Sequence, residues 1–217
     1  MECPLFALLT IPAALAGDTD GAGPLAVGSV GIGARLSGEL LSDRNLALAY
    51  GSSSLSGEIH ATVALPYYLE LGTAVGYRRL SGNLVDEAGL ATDTTSWLWY
   101  APIQLTIGAR IPLRSISVFV ATGPGVVVWE EEQPPELALG VGSAGAKPAW
   151  VFEGGASVPI GMQRSLHNPD KGPVGLDVNI LLGYRHSFRS HSTCIVESPC
   201  GLSFSALKAA AGLTLRL

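Results

Sequence analysis

Residues Leu69 to Arg79 read LELGTAVGYRR, and their hydrophobicity alternates with a period of two. In an extended strand, successive side chains point to opposite faces. One face would carry Leu69, Leu71, Thr73, Val75 and Tyr77. The opposite face would carry Glu70, Gly72, Ala74, Gly76 and Arg78. This stretch therefore predicts a β-strand with one apolar and one polar face.

Seven further segments show the same alternation, some of them more weakly. They are residues 26–36, 57–65, 97–111, 116–128, 150–160, 174–184 and 207–217. Each is close to the ~9–11 residues that a tilted strand needs to cross the hydrocarbon core of a bilayer. Only residues 40–50 have a helical pattern, and they fall in a connection. The sequence therefore predicts an all-β fold with eight strands.

The composition excludes several classes of protein. Of the 217 residues, 47% are hydrophobic and 14% are charged, whereas soluble domains contain about 25% charged residues. So apolar a chain has enough hydrophobic surface to fold, which excludes disorder. The longest uncharged stretch, residues 94–109, contains Pro102 and is shorter than the ~18 residues that a spanning helix requires. The net charge of −5 offers no basic surface, which argues against nucleic acid as a partner.

The connections between the predicted strands alternate in length. The shorter set lies around Pro66-Tyr67, at 112–115 and at 163–173, and the long set at 38–56, 81–94, 130–148 and 189–201. Short turns on one side and long loops on the other are typical of membrane β-barrels, whose termini both lie on the short-turn side. This arrangement predicts that Glu130, Glu131 and Glu132 belong to an external loop.

The apolar face of each predicted strand is expected to contact lipid. The polar faces are rich in small residues, as a narrow filled lumen requires, and the apolar faces carry no charge in mid-strand, where one would cost roughly 2–4 kcal/mol. Aromatic residues near the long-loop ends predict an interfacial girdle of Trp97, Trp99, Trp129, Trp150, Tyr77 and Tyr184, with Phe188 and Phe204 at the same level. Strict alternation puts Trp129 on the inner face, so its place in the girdle requires a bulge or a rim position. A soluble sandwich or lipocalin-like binder, with the apolar faces inward, is the alternative.

The N-terminus and the cysteines indicate an exported chain. Residues 3–16 form an apolar run that ends in Ala14-Leu15-Ala16, which predicts a signal peptide at 1–16 and a mature domain at 17–217, although the basic n-region is missing. Removing the signal leaves Cys194 and Cys200, an even pair that predicts a disulfide at a loop tip. The alternatives are an N-terminal core segment and two free thiols.

The last residues, Ala211 to Leu217 (AGLTLRL), resemble the C-terminal signal strand of bacterial outer-membrane β-barrel proteins, although that strand usually ends in an aromatic residue. With eight strands and a signal-like start, the whole chain resembles the small OmpA/OmpX-type barrels. The resemblance implies an eight-stranded antiparallel up-and-down transmembrane β-barrel in the bacterial outer membrane. It also implies contact with membrane lipid and lipopolysaccharide, and recognition by the barrel-assembly machinery.

Ten charged residues on the polar faces are expected to meet inside the barrel. They are Arg35, Glu58, Glu70, Arg78, Arg110, Glu153, Asp177, Arg185, Lys208 and Arg216. Eight strands leave an interior just wide enough for side chains, and charges buried there must be paired. The set is therefore either a structural plug of ion pairs or the lining of a narrow gated pore or a small ligand site.

The sequence predicts no catalytic, cofactor or metal site. Residues 140–145 match G-x-G-x-x-G, but Lys147-Pro148 prevents the helix that should follow. Ser205 and Lys208 match S-x-x-K, but an offset of three places them on opposite faces of a strand. His186 is expected on the lipid face and Ser187 inside, without the acidic partner that a hydrolase triad requires. The histidines show no metal-ligand spacing.

The function predicted from the sequence is structural, or surface interaction through external loops with an unidentified partner. A narrow porin-like channel for small solutes is the second hypothesis. A lipid-modifying hydrolase is the third.

Overall fold

A computed structural model describes residues 27–85, 91–113, 115–132, 144–163, 174–188 and 203–217 as a closed barrel of eight strands. The strands are β1 (Val30–Leu41), β2 (Ser53–Ala64), β3 (Leu69–Val85), β4 (Ala91–Leu113), β5 (Ile116–Glu132), β6 (Ala144–Gln163), β7 (Val174–Ser187) and β8 (Ala206–Arg216), and the helix α1 (Arg44–Tyr50) follows β1. Every strand pairs antiparallel with its neighbours in the chain, and β8 closes the barrel against β1. The predicted fold is confirmed. No helix among the described residues has the length and apolarity needed to cross a membrane.

The strands are strongly staggered. If the ladder partners of Val30 are followed once around the barrel, the path returns to β1 at Leu40, a displacement of ten residues. Such a stagger in an eight-stranded barrel goes with a strand tilt of about 35–45° and a lumen that side chains can fill. The barrel is therefore narrow, and its inward side chains must contact one another.

The outer face is apolar and the inner face carries the charges. Ile59, Ile180 and Leu182 are 67%, 64% and 68% exposed on the outside. Arg78 and Asp177 point inward and are almost completely buried. A soluble sandwich would place its apolar faces inward. The soluble alternative is therefore wrong, and the outer face is suited to hydrocarbon.

A charge at the middle of this outer face should be costly. Ile180 lies near the centre of β7, and we expect Ile180→Arg to lower the free energy of unfolding in lipid vesicles by about 2–4 kcal/mol. Leu176 lies on the same face near the short-turn end of β7, and Leu176→Arg should lower the free energy of unfolding by only about 0–1 kcal/mol. Equal losses in urea titrations of the two variants would contradict the membrane position assigned to β7.

The strands extend further toward the long-loop side than the sequence predicts. β1 continues to Leu41 and β2 begins at Ser53, so that the first long connection is short and contains α1. β5 continues to Glu132, and the placement of Glu130, Glu131 and Glu132 in an external loop is wrong. At the long-loop ends of β3 and β5 the outward residues Arg79 and Glu132 are charged and exposed, so hydrophobic alternation ends before these strands do.

The signal peptide predicted at 1–16 lies outside the described residues. The same is true of Cys194 and Cys200, so the disulfide stays a prediction.

Candidate functional site

The barrel interior holds all ten charged residues that the sequence places there. Each of them takes part in at least one ion pair with another inward residue. The pairs form three successive levels between the short-turn end and the long-loop end, which we call the lower, middle and upper tiers. The closest pairs of the lower tier join neighbouring strands, β3 with β4 and β7 with β8, whereas pairs in the other two tiers also cross an intervening strand.

The lower tier lies at the short-turn end of the barrel. Arg110 on β4 donates from Nε and Nη2 to the two carboxylate oxygens of Glu70, over 2.7 and 3.0 Å, in the bidentate geometry that guanidinium groups favour. Its Nη1 donates to Ser157 over 2.7 Å. Arg216 on β8 pairs with Asp177 and stands 3.9 Å from Glu70. The tier contains two bases and two acids and is neutral.

The middle tier is also neutral. Glu58 accepts from Lys208 over 3.1 Å and lies 3.2 Å from Arg35. Glu153 accepts from Lys208 over 2.5 Å and lies 3.6 Å from Arg35. The amide of Gln104 donates to the same Glu153 carboxylate over 2.7 Å. Each carboxylate is thus paired with two cations, and these ion pairs connect β1, β2, β6 and β8.

The upper tier is built around Glu39, a residue that the sequence analysis does not assign to the interior. Arg78 approaches its carboxylate to 2.5 Å and Arg185 to 2.8 Å. The hydroxyl of Tyr100 donates to it over 3.2 Å. Glu39 was missed because residues 38–56 were predicted to be a loop. The inward alternation of Arg35 and Ser37 continues to Glu39, and this signal could have identified it.

A small cavity of about 40 Å³ lies beside the lower and middle tiers, with Arg35, Glu70, Gln104 and Glu153 among the residues of its wall. His60 also lines it, accepting from Arg35 Nε at Nδ1 over 3.1 Å. Because Nδ1 accepts, a neutral His60 carries its proton on Nε2, which lies 2.7 Å from the Thr214 hydroxyl. The cavity has room for water molecules and is too small for a drug-sized ligand, whose pockets measure ~300–1,000 Å³.

Inward glycines make space for the long basic side chains. A Cβ at Gly212 would lie 2.6 Å from Cγ of Arg35, and a Cβ at Gly33 would lie 2.6 Å from the His60 ring. Both would also come closer than 2.5 Å to a backbone carbonyl of the adjacent strand. The high glycine content of the polar faces is thus a packing requirement of the narrow lumen.

An apolar cap closes the upper end of the interior. The buried residues that pack together there are Leu41, Leu46, Tyr50, Leu80, Leu98, Tyr100, Val127, Trp129, Ala149, Phe204 and Ala206. Phe204 is completely buried, with its ring 5.3 Å from that of Tyr100 and 6.0 Å from that of Trp129. The cap separates the ion pairs below it from the outer surface.

Asp43 joins the two connections that form the cap. One of its carboxylate oxygens accepts from the backbone N–H of Leu46 in α1, and the other accepts from that of Ser203. The first contact satisfies a free donor at the start of the helix. The second ties α1 to the segment that carries Phe204. The cap is therefore held by specific hydrogen bonds as well as by packing.

Two predicted members of the aromatic girdle belong to the cap. Trp129 is 7% exposed and Phe204 is fully buried, so both point into the barrel. Neither a bulge nor a rim position is needed for Trp129, because β5 keeps its register with β4 and β6 on both sides of it. Its inner position follows strict alternation. The prediction that Trp129 belongs to the girdle is wrong, because it relies on the preference of tryptophan for the membrane interface and disregards the alternation of the strand.

The other aromatic residues lie on the outside near the long-loop ends. Tyr77 stacks on Trp99 with centroids 6.4 Å apart, and Arg79 lies 4.5 Å over the ring of Trp97. Trp150 and Tyr184 are also exposed there. At the opposite end, Tyr67 and Tyr68 form a two-residue hairpin turn with φ of 61° and 62°. Such left-handed positions usually favour Asn and Gly. Both ends of the outer apolar belt therefore carry exposed aromatic rings.

The catalytic alternatives find no support in the described residues. His186 lies outside, between the rings of Tyr184 and Phe188, whereas Ser187 is buried inside, so the two cannot act together. Lys208 is bound to Glu58 and Glu153, while Ser205 is hydrogen-bonded to Ser203. No group of His, Cys, Asp and Glu within the described part of the chain could hold a metal ion.

Tyr50 makes the cap sensitive to alkaline pH. Its hydroxyl donates to Glu131 over 2.5 Å and lies 2.6 Å from Ser96. Burial raises the pKa of Tyr50 above its ordinary value, and the hydrogen bond to the Glu131 carboxylate raises it further. The stability that this hydroxyl contributes is therefore complete below the unfolded-state pKa of about 10 and is lost as the pH rises toward the folded-state pKa.

We expect Tyr50→Phe to lower the free energy of unfolding at pH 8 by roughly 1.5–3 kcal/mol, the range for a hydrogen bond to a charged group. The gap between the native protein and the variant should narrow above pH 10, because Tyr50 then ionises in the unfolded chain while the folded hydroxyl stays protonated, and phenylalanine has no group to ionise. Urea unfolding at several pH values measures the gap. A gap that stays constant to pH 11 would contradict the role of Tyr50.

Comparisons with known proteins support the fold. No protein-family model matches the chain, and no curated protein matches it in sequence. The structure is similar to the outer membrane protein OprG from Pseudomonas aeruginosa, at 9% identity and a TM-score of 0.55, over 92% of this chain and 99% of that one. It is also similar to Ail, the attachment invasion locus protein of Yersinia pestis, solved with the heparin analogue sucrose octasulfate. That match has 9% identity and a TM-score of 0.51, over 88% of this chain and 99% of that one. The chain therefore has the fold of small bacterial outer-membrane β-barrels, in agreement with the predicted localisation.

Proposed function

We propose that the chain is an integral protein of a bacterial outer membrane whose interior is closed to solutes and which acts through the connections it holds at the outer surface. The observation that carries this proposal is the combination of three ion-paired tiers with the apolar cap above them. A barrel filled in this way provides a rigid, closed support. What remains available for interaction is the long-loop end.

The outer surface supports the membrane assignment. Its apolar belt is wide enough for a bilayer, because a strand of about 9–11 residues is sufficient and every strand here has at least that length. Membrane lipid and lipopolysaccharide are accordingly proposed as the surroundings of this belt. The C-terminal strand β8, with Leu213 and Leu215 exposed on its outer face, is proposed together with the exposed Leu217 that follows it as the segment that the barrel-assembly machinery recognises.

A narrow porin-like channel remains the second candidate function. The inward charges favour it, because a continuous polar interior is what an aqueous path requires. The cap opposes it, because Leu46, Leu98, Val127 and Phe204 are all at most 1% exposed. Pairing of the charges opposes it as well. The non-enzymatic closed barrel is therefore the better supported function.

Single-channel recording in planar bilayers tests the proposal. Insertion of the folded barrel would be verified by a gel-mobility shift on boiling, so that a flat trace cannot result from failed insertion. We expect the current to stay at baseline at voltages where a general porin in the same setup shows discrete steps. Reproducible steps from the native protein would contradict the closed interior and favour the channel.

A further inference from the structure

His60 lies inside the barrel in a contact that requires an uncharged ring. It is 7% exposed, and its Nδ1 accepts from Arg35 Nε over 3.1 Å. A neutral imidazole has a single N–H, which must then be on Nε2, 2.7 Å from the Thr214 hydroxyl. An imidazolium carries an N–H on both nitrogens and can accept at neither. Protonation of His60 would therefore turn its hydrogen bond with Arg35 into a contact between two cations that both present a donor.

The position of the ring is fixed on both sides. The Thr214 oxygen, which accepts from Nε2, also accepts from the amide of Asn179 over 2.5 Å, so this partner is itself held in place. On the other side, the ring lies so close to β1 that a Cβ at Gly33 would be only 2.6 Å from it. The ring is therefore held against the strand that carries Arg35, with both nitrogens engaged.

The carboxylates near His60 are already paired with other groups. Besides Arg35, the charged residues that face it are one on its own strand and four on β3, β4, β6 and β8, namely Glu58, Glu70, Arg110, Glu153 and Lys208. Each of the three carboxylates pairs with Arg35, Arg110 or Lys208, and no ion pair among the described residues includes His60. Directly opposite His60, β3 places the uncharged Ala74. A proton on His60 would thus add a charge to a set of groups that is balanced without it.

We propose that His60 makes the closed barrel sensitive to mild acid. The folded interior holds only the neutral ring, whereas any state in which the ring leaves Arg35 and meets water binds one more proton. A histidine in water takes up this proton below about pH 6.5. The stability that depends on the neutral ring is therefore complete above this pH, and the unfolding equilibrium constant rises up to about tenfold for each pH unit below it. Acid thus favours loosening of the middle tier, to which Arg35 belongs.

Urea unfolding of the native protein and of His60→Gln in lipid vesicles, at about pH 7.5 and about pH 5.5, tests this role. Between these two pH values, we expect the unfolding constant of the native protein to rise about tenfold more than that of His60→Gln, because all other titrating groups are common to both. His186→Gln is the matched control. His186 lies on the outside beside Tyr184 and Phe188, so this variant should keep the pH dependence of the native protein. The same pH dependence in the native protein and in His60→Gln would overturn the proposal.

Nitrogen-15 NMR of the imidazole rings in the native barrel tests the proposal without any variant, and therefore also if His60→Gln fails to fold. The expected result is that His60 keeps its neutral form, with the proton on Nε2, at about pH 5.5, where histidines of the urea-unfolded chain are protonated. A doubly protonated His60 ring in the folded barrel at that pH would overturn the proposal. Neither result would affect the closed barrel, which the conductance measurement tests separately.

Discussion

Replacing Glu39 with Ala is expected to lower the free energy of unfolding by about 3–5 kcal/mol, the range for removal of one partner from a buried ion pair. Glu39 is the only carboxylate within reach of Arg78 and Arg185 among the salt bridges of the described residues. Its loss leaves two buried guanidinium groups without a counter-charge and removes an acceptor from Tyr100. Urea titration in lipid vesicles, followed by tryptophan fluorescence, measures the effect.

Glu132→Ala is the matched control for Glu39→Ala. Glu132 pairs with Arg79 over 3.5 Å on the outside of the barrel, where both side chains are 52% exposed. Exposed pairs of this kind contribute about 0–1 kcal/mol. Glu131 would be an unsuitable control, because it is buried and accepts from Tyr50. Similar losses for Glu39→Ala and Glu132→Ala would show that the upper tier is hydrated and that the cap does not seal it.

The eight strands and their two faces could be predicted because a barrel in lipid leaves a strict period in the sequence. Each strand must present apolar residues to hydrocarbon at every second position, and this requirement is local. The inward charges could be predicted for the same reason. Leu69 to Arg79 contains Glu70 and Arg78 at inward positions, and the structure places them in the lower and upper tiers.

The partners within the interior could not be predicted, because they depend on register. Glu39 reaches Arg185, 146 residues later in the chain, only because the strands are staggered as they are. The cap could not be predicted either. Residues 40–50 show a helical pattern, but the period of a segment does not reveal that α1 and Phe204 pack onto inward strand residues such as Leu98 and Trp129. For Trp129 the alternation of β5 correctly predicts an inward side chain, whereas the preference of tryptophan for the membrane interface suggests a position in the outer girdle.

The cap should depend on Phe204 more than on any aromatic residue of the outer face. We expect Phe204→Ala to lower the free energy of unfolding by about 3–5 kcal/mol, the range for truncating a buried phenylalanine. Its ring is fully buried against Tyr100 and Trp129, and Ala would leave a void at the centre of the cap. The backbone carbonyl that accepts from Arg185 remains in the variant, so the loss reports on the ring.

Phe188→Ala provides the comparison for Phe204→Ala, because Phe188 lies outside the barrel, is 46% exposed and contacts His186 edge-on. Its truncation creates no internal void and should cost about 1 kcal/mol, in the range of an aromatic pair contact. Both variants would be unfolded in the same vesicles. Equal losses would mean that Phe204 is not packed inside. A selective loss at Phe204, with the current still at baseline, would mean that the ion-paired tiers close the barrel even when the cap is weakened.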